Sequence, residues 1–145
     1  RGHNLDTKRI LETGRTYIEK IHDSNDLIKD KVVTEKLTRM EKTVSMIFKE
    51  VDLHPQQSEK LGLFLNYYLP TTDKLLRNYI SIDEQNAESK SLSKTLHELS
   101  KSLDTINTSF EKILEMLYKE QEADILSDIE TMEAMMTSEG LVTPE

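Results

Sequence analysis

The chain has 145 residues, of which 36% are apolar and 32% charged, and its formal net charge is −8. Because proteins that bind phosphate backbones use clustered lysine and arginine, this acidic balance argues against a nucleic-acid partner. The absence of cysteine excludes disulfides, thiolate zinc sites and a cysteine nucleophile. No apolar run approaches the roughly 20 residues that cross a bilayer, and we expect no signal peptide. The chain has only four glycines and three prolines, which indicates long uninterrupted elements.

The first predicted helix covers about residues 4–22 and ends at the polar run 23–26. Short polar side chains compete for backbone hydrogen bonds, so this run is expected to stop one helix and cap the next. The apolar face of the helix consists of Leu11, Tyr17, Ile18 and Ile21, with Gly14 as a gap in the stripe.

The second predicted helix covers about residues 26–53. Its apolar residues are spaced alternately by four and three positions, the pattern of a packed helical seam: Val33, Leu37, Met40, Val44, Ile47 and Val51. His54 precedes Pro55 and is therefore pushed out of the α region, so the helix is expected to stop there. Pro55 suits the first turn of the following helix.

The third predicted segment covers about residues 56–83 and contains Pro70. A seam with the same alternation continues across this proline: Leu61, Leu65, Tyr68, Thr72, Leu75, Tyr79 and Ile82. Pro70 cannot donate a hydrogen bond to the carbonyl of Asn66 and clashes with it. We therefore predict two helical pieces with a kink or an irregular turn near residues 69–72, the second piece being capped within residues 71–73.

The fourth predicted segment covers about residues 91–138, after a polar connection at 84–91. It carries the longest seam of the chain: Leu92, Leu96, Leu99, Leu103, Ile106, Phe110, Ile113 and Leu117. The seam then slips by one residue and continues at Ile125, Ile129, Met132 and Met136. A bend, a frayed turn or a new partner near residues 119–123 would accommodate the slip. Gly140 is the expected stop, followed by a loose tail at 141–145.

These four segments predict an all-α protein, an elongated antiparallel helical bundle whose third segment is kinked or broken near Pro70. We expect a single domain over residues 1–145. No strand alternation or internal repeat competes with this interpretation.

Metal chemistry has little support in the sequence. A ferritin-like centre needs a Glu-x-x-His pair on each of two helices, whereas Glu19 and His22 form one such pair without a second. An exposed helix end is the alternative interpretation of that pair. No metal or other cofactor is expected, and no glycine-rich phosphate loop or nucleophile motif suggests catalysis.

Two further clusters are candidate sites. Asp124 and Asp128 lie one helical turn apart, with Glu120 another turn back, so they could receive a basic partner or a cation, or form a solvated or salt-bridged face. Aromatic residues gather around Pro70 and could form either a binding notch or part of the core: Phe64, Tyr67, Tyr68 and Tyr79.

Two stretches carry a family resemblance: FLNYYLPTTDKLLRNY from Phe64 to Tyr79, and DILSDIETMEAMM at 124–136, which closes on Glu139-Gly140-Leu141. Both resemble the XpaC family, named for 5-bromo-4-chloroindolyl phosphate hydrolysis. The likeness covers about residues 40–141. The residues that match the family's pattern are Tyr68, Leu69, Pro70, Thr71, Lys74, Leu75, Tyr79, Asp124, Asp128 and Gly140.

The resemblance implies that the chain is a soluble fragment of a longer bacterial protein. It also implies that the full-length protein lies at the cytoplasmic face of the membrane and is linked with toxic-anion (tellurite) resistance proteins. We therefore expect a non-enzymatic interaction domain that packs helices against a protein partner, with a toxic-anion-resistance protein as the candidate. The family name implies the alternative, a phosphohydrolase acting on aryl phosphates. A self-assembling coiled coil is a third hypothesis.

Overall fold

The computed structural model describes residues 2–85 and 89–143, with the side chains described from residue 6 onward. Within these residues lie four α-helices: α1 (Gly2–Leu27), α2 (Lys31–Leu53), α3 (Leu69–Glu84) and α4 (Lys90–Ser138). A 3₁₀-helix at Pro55–Lys60 and a π-helical turn at Phe64–Tyr68 lie between α2 and α3. The part of the chain that the structure describes contains no strand, and the predicted all-α helical bundle is confirmed.

The chain divides into two units, residues 1–114 and 115–145. The first unit is a bundle of α1, α2, α3 and the first part of α4. Part of the predicted connection at 84–91 and the last two residues of the predicted tail lie outside the described residues.

Helix α1 continues through the polar run 23–26 to Leu27, so the predicted stop at this run is wrong. The reason lies in α2. Asn25 donates from Nδ2 to Thr38 Oγ1 at 3.0 Å and to Glu41 Oε2 at 3.1 Å, so its side chain is engaged across the helix interface. The residue that caps α2 is Asp30, whose carboxylate accepts from the amides of Val32 and Val33.

Helices α1 and α2 run antiparallel. His22, late in α1, pairs with Glu41, whereas Gly14, earlier in α1, lies against Phe48, later in α2. The predicted seam of α2 is confirmed, because its six members are 0–1% exposed. His54 ends α2 outside the α region, as predicted, and Pro55 begins the 3₁₀-helix.

Helices α2 and α4 run parallel within the first unit. Lys36 donates from Nζ to the carbonyl oxygen of Ser100 at 2.8 Å, and three residues later Arg39 forms a bidentate pair with Glu111. Between them, Asn107 is fully buried and donates from Nδ2 to the carbonyl oxygen of Lys36 at 2.9 Å. These contacts place α2 beside α4. Helix α1 contacts α3, where Lys20 Nζ lies 4.0 Å from Asp73 Oδ2.

The π-helical turn replaces the irregular turn that was predicted near residues 69–72. The amide of Leu69 donates to the carbonyl oxygen of Phe64, five residues back, and Pro70 lies in the first turn of α3. The irregularity precedes Pro70 because the missing proline amide and the ring disturb the carbonyls of the previous turn. An irregular turn beside Pro70 is present as predicted, but it lies at 64–68, before the proline, and not at 69–72.

The π-helical turn also changes which residues are buried. The buried positions that form one seam in this segment are separated by three, five, three, four and three residues: Leu61, Phe64, Leu69, Thr72, Leu76 and Tyr79. Asp73, next to Thr72, is buried as well. The five-residue step spans the turn itself, since a π-turn inserts one residue into the helical period. The predicted seam, which kept its phase across Pro70, is therefore wrong at Leu65, Tyr68, Leu75 and Ile82, which are not buried.

The predicted cap of α3 within residues 71–73 is also wrong. Tyr68 is already helical, with φ −67° and ψ −45°, so the preceding turn leaves no free helix end to cap. Thr72 instead donates from Oγ1 to the carbonyl oxygen of Tyr68 at 2.7 Å. Asp73, 4% exposed, accepts from Arg77 Nε at 3.0 Å.

The centre of the first unit is an aromatic cluster around Phe64. Its ring lies 6.0 Å from that of Phe48 in α2 and 5.1 Å, edge to face, from that of Phe110 in α4. Edge-to-face pairs of this kind add roughly 0.5–1.5 kcal/mol beyond their buried area. The π-helical turn therefore carries the side chain that joins α2 to α4.

The second unit contains the remainder of α4, which is helical to Ser138 without interruption. Of the three alternatives offered for the slip near 119–123, the frayed turn is wrong, because the helix continues through these residues. Gly140 ends the helix as predicted: its φ is +74°, its amide donates to Thr137 and that of Leu141 donates to Met136. This pair of bonds is the Schellman arrangement that favours glycine.

Candidate functional site

The family-motif residues 68–79 do not form one cluster in the structure. Leu69 and Tyr79 are buried, with 1% and 5% exposure, and therefore belong to the core. Tyr68 and Lys74 are exposed, and Pro70 and Thr71 are half-buried. The motif thus combines core positions with a smaller surface at the π-helical turn.

That surface is a groove of about 530 Å³ between the π-helical turn, α3 and α4, which we call the motif groove. Tyr68 and Thr71 line one wall, and α4 supplies the other. The complete lining is Tyr67, Tyr68, Thr71, Thr72, Leu75, Thr105, Ile106, Ser109, Phe110, Lys112 and Ile113. The rings of Tyr67 and Tyr68 meet at 5.9 Å and are 59% and 41% exposed as residues. The predicted aromatic cluster is therefore split between core and surface.

Tyr79 faces a different part of the first unit. It borders an open groove of about 1010 Å³ that also includes Asp30, Lys36, Asp83 and His97. Burial raises the pKa of the Tyr79 hydroxyl, and the nearby carboxylates of Asp30 and Asp83 act in the same direction. Tyr79 is thus a neutral core residue at ordinary pH and is not an activated phenol.

The pair Glu19 and His22 does not form a metal-binding motif in the structure. His22 binds Glu41 through Nδ1 at 2.9 Å and approaches Asp26 through Nε2 at 3.6 Å. The hydrogen bond to Glu41 raises the pKa of His22 above its ordinary value of 6.5, and the charges of Glu41 and Asp26 add to the effect. Over residues 2–85 and 89–143, no group of three or more histidine, aspartate or glutamate side chains is arranged to hold a metal ion.

Asp124 and Asp128 lie in the second unit, on the part of α4 that follows Lys119, and both are exposed. Glu122, Glu130 and Glu133 on the same helical stretch are exposed too. All 19 lysines and arginines of the chain precede residue 120, whereas residues 120–145 contain eight aspartates and glutamates. The net charge of the whole chain is therefore carried by this segment.

The same stretch of α4 exposes large apolar side chains. Ile125, Ile129, Met132 and Met136 are spaced by four, three and four residues and so share one face of the helix. Leu126 and Met135 flank them. We call these six residues the C-terminal apolar face. Five of them are 45–64% exposed, and Met136 is half-buried.

The exposure of this face was not predicted, although two sequence signals pointed to it. The slip of the seam after Leu117 separates these residues from the earlier stripe, and no basic residue follows Lys119 to balance the carboxylates.

Among the described residues, no helix is long and apolar enough to cross a membrane.

The comparison with protein families identifies the family of this chain. The family model described as 5-bromo-4-chloroindolyl phosphate hydrolysis protein matches residues 5–132, which include the whole π-helical turn and five of the eight acidic residues of 120–145. No curated protein and no solved structure matches the chain.

Proposed function

We propose that the chain, which belongs to the family of 5-bromo-4-chloroindolyl phosphate hydrolysis proteins (XpaC), is a non-enzymatic domain that binds a protein partner by helix packing. The observation that carries this proposal is the C-terminal apolar face, of which Met132 and Met135 are 59% and 64% exposed. Contiguous exposed apolar residues bordered by charges are typical of surfaces that a partner covers.

The setting of this function is also proposed. On the family resemblance, we place the domain at the inner, cytoplasmic face of a bacterial membrane within the full-length protein, with a toxic-anion-resistance protein as the candidate partner. The motif groove at Tyr68 and Thr71 is a second surface available for contact, because its wall combines exposed tyrosine rings with the apolar side of α4.

Site-specific photo-crosslinking of the full-length protein in its native host tests the proposal. A photoreactive residue at Met132 should form an adduct with a distinct protein, whereas one at Leu63, which is 66% exposed in the first unit, should not. If Met132 yields no protein adduct, or the same adducts as Leu63, the C-terminal apolar face does not bind a specific partner.

The second candidate function is hydrolysis of aryl phosphates, which the family description favours. Purified protein incubated with 5-bromo-4-chloroindolyl phosphate and a panel of divalent metals decides between the two. Turnover that follows the protein through purification and is lost in Asp124→Ala/Asp128→Ala, but not in the neighbouring control Glu130→Ala, would replace the interaction proposal with catalysis.

A further inference from the structure

The C-terminal apolar face has the dimensions of a helix-binding surface. From Ile125 to Met136 it extends roughly 17 Å along the helix axis, which is about three turns. Three of its six residues are methionines, Met132, Met135 and Met136, whose flexible side chains adapt to a partner helix. The face is therefore suited to one amphipathic helix laid along α4.

Carboxylates border the seam of this face, which is formed by Ile125, Ile129, Met132 and Met136, on both sides. At 100° per residue, Glu122 and Glu133 lie along one edge of the apolar stripe, and Asp124 and Asp128 lie along the other. No lysine, arginine or histidine occurs between residues 120 and 145 to neutralise them. In paired helices the charges that flank the apolar seam decide which partner is accepted.

This charge pattern excludes several occupants. A second copy of this segment would place carboxylates opposite carboxylates in either orientation, which is unfavourable. An anionic lipid surface and a nucleic-acid backbone would be repelled for the same reason. The occupant that satisfies both the apolar stripe and its acidic borders is a helix with an apolar seam flanked by lysine and arginine.

We propose that the C-terminal apolar face of α4 binds a basic amphipathic helix, with the partner's apolar seam on Ile125, Ile129, Met132 and Met136 and its cations opposite the bordering carboxylates. This inference rests on the proposed interaction function and specifies the chemistry of the partner.

The proposal is tested by fluorescence anisotropy of the full chain with three labelled peptides. The first is an amphipathic helix of about three heptads with leucine at the seam and lysine beside it. The second has glutamate in place of lysine, and the third has the composition of the first but a scrambled order. We expect the first to bind at least about tenfold more tightly than either of the others, and its affinity to fall as salt is added.

Two variants locate the binding surface. Ile125→Gln/Ile129→Gln should weaken binding of the basic peptide at least about tenfold, since the removed side chains form the seam. Leu63→Gln, which changes a leucine of the first unit that is 66% exposed, should leave the affinity unchanged. Circular dichroism establishes that both variants keep their helix content, so a loss of binding reports the surface and not the fold.

Several results would overturn the proposal. The proposal is wrong if the acidic peptide binds as tightly as the basic one, or if Ile125→Gln/Ile129→Gln binds the basic peptide with unchanged affinity. Self-association that this double variant abolishes would identify a second copy as the occupant instead. If the peptides fail while Met132 still crosslinks to a host protein, the interaction function stands and the partner's chemistry is wrong. If no host protein crosslinks, the function itself fails.

Discussion

Gly14 of α1 lies directly against the ring of Phe48 of α2. A Cβ atom built at residue 14 would come within 2.4 Å of Phe48 Cδ1 and 2.5 Å of Cγ, far inside van der Waals contact. The gap in the apolar stripe of α1 is therefore filled by an aromatic ring of the neighbouring helix. Phe48 in turn packs on Phe64 of the π-helical turn, so this contact links α1 to the centre of the bundle.

Gly14→Ala is expected to destabilise the protein although alanine is the better helix former. The gain in helix propensity is about 1 kcal/mol, whereas forcing a methyl group into a packed interface costs about 1–3 kcal/mol. Gly62→Ala is the matched control, because no atom lies within 4 Å of its added Cβ. Urea unfolding should give a lower midpoint for Gly14→Ala and an unchanged or higher one for Gly62→Ala. Equal midpoints would mean that Phe48 moves aside without cost.

Asn107→Leu is expected to be neutral or to raise the free energy of unfolding by about 1 kcal/mol. Asn107 is fully buried and donates to the carbonyl oxygen of Lys36, but its own Oδ1 has no hydrogen-bond partner in the structure. The carbonyl of Lys36 keeps its helical hydrogen bond without Asn107. A clear loss of stability in chemical denaturation would show that the buried amide contributes more than it costs.

The pairing of His22 with Glu41 predicts a pH dependence. The raised pKa of His22 means that its contribution to stability is fully present below its ordinary pKa of 6.5 and is lost as the pH rises through the folded-state pKa. His22→Gln should therefore lower the melting temperature more at about pH 5.5 than at about pH 8.5. The opposite order, or a loss that does not change with pH, would contradict the pairing.

The ion pair between Arg39 of α2 and Glu111 of α4 predicts a change in the pKa of Glu111 when Arg39 is replaced. The bidentate hydrogen bonds from Arg39 hold the pKa of the Glu111 carboxyl below its ordinary value of 4.5. In Arg39→Gln that pKa should rise, which an NMR titration of the glutamate side chains measures directly. Arg77→Gln, which removes a cation that pairs with Asp73 instead, should leave Glu111 unchanged.

The fold was predictable where the helical period is undisturbed. The seam of α2 is buried as predicted because no residue interrupts its alternation between Val33 and Val51. In the third segment, Pro70 indicates an irregularity in the helix, but the sequence does not show that the extra residue enters at 64–68. That insertion buries Leu69 and Leu76 instead of the predicted Tyr68 and Leu75, whereas Thr72 and Tyr79 are buried as predicted. The end of α1 was missed because the partners of Asn25 lie in α2, and such long-range contacts leave no local signal.

The candidate site was predictable in part. The acidic run and the family motif can be read from residue order, but periodicity cannot distinguish a buried apolar stripe from an exposed one. Ile125, Ile129 and Met132 therefore looked like a continuation of the core seam, displaced by one position. The motif groove was hidden for another reason, since its second wall comes from α4, some 35 residues further along the chain.

Amide hydrogen exchange of the full chain, with and without the basic amphipathic peptide, tests the central claim most directly. If α4 carries the binding surface, exchange should slow across residues 120–138 and stay unchanged at residues 64–72 of the motif groove. Protection confined to the motif groove, or absent from both regions at saturating peptide, would contradict the account.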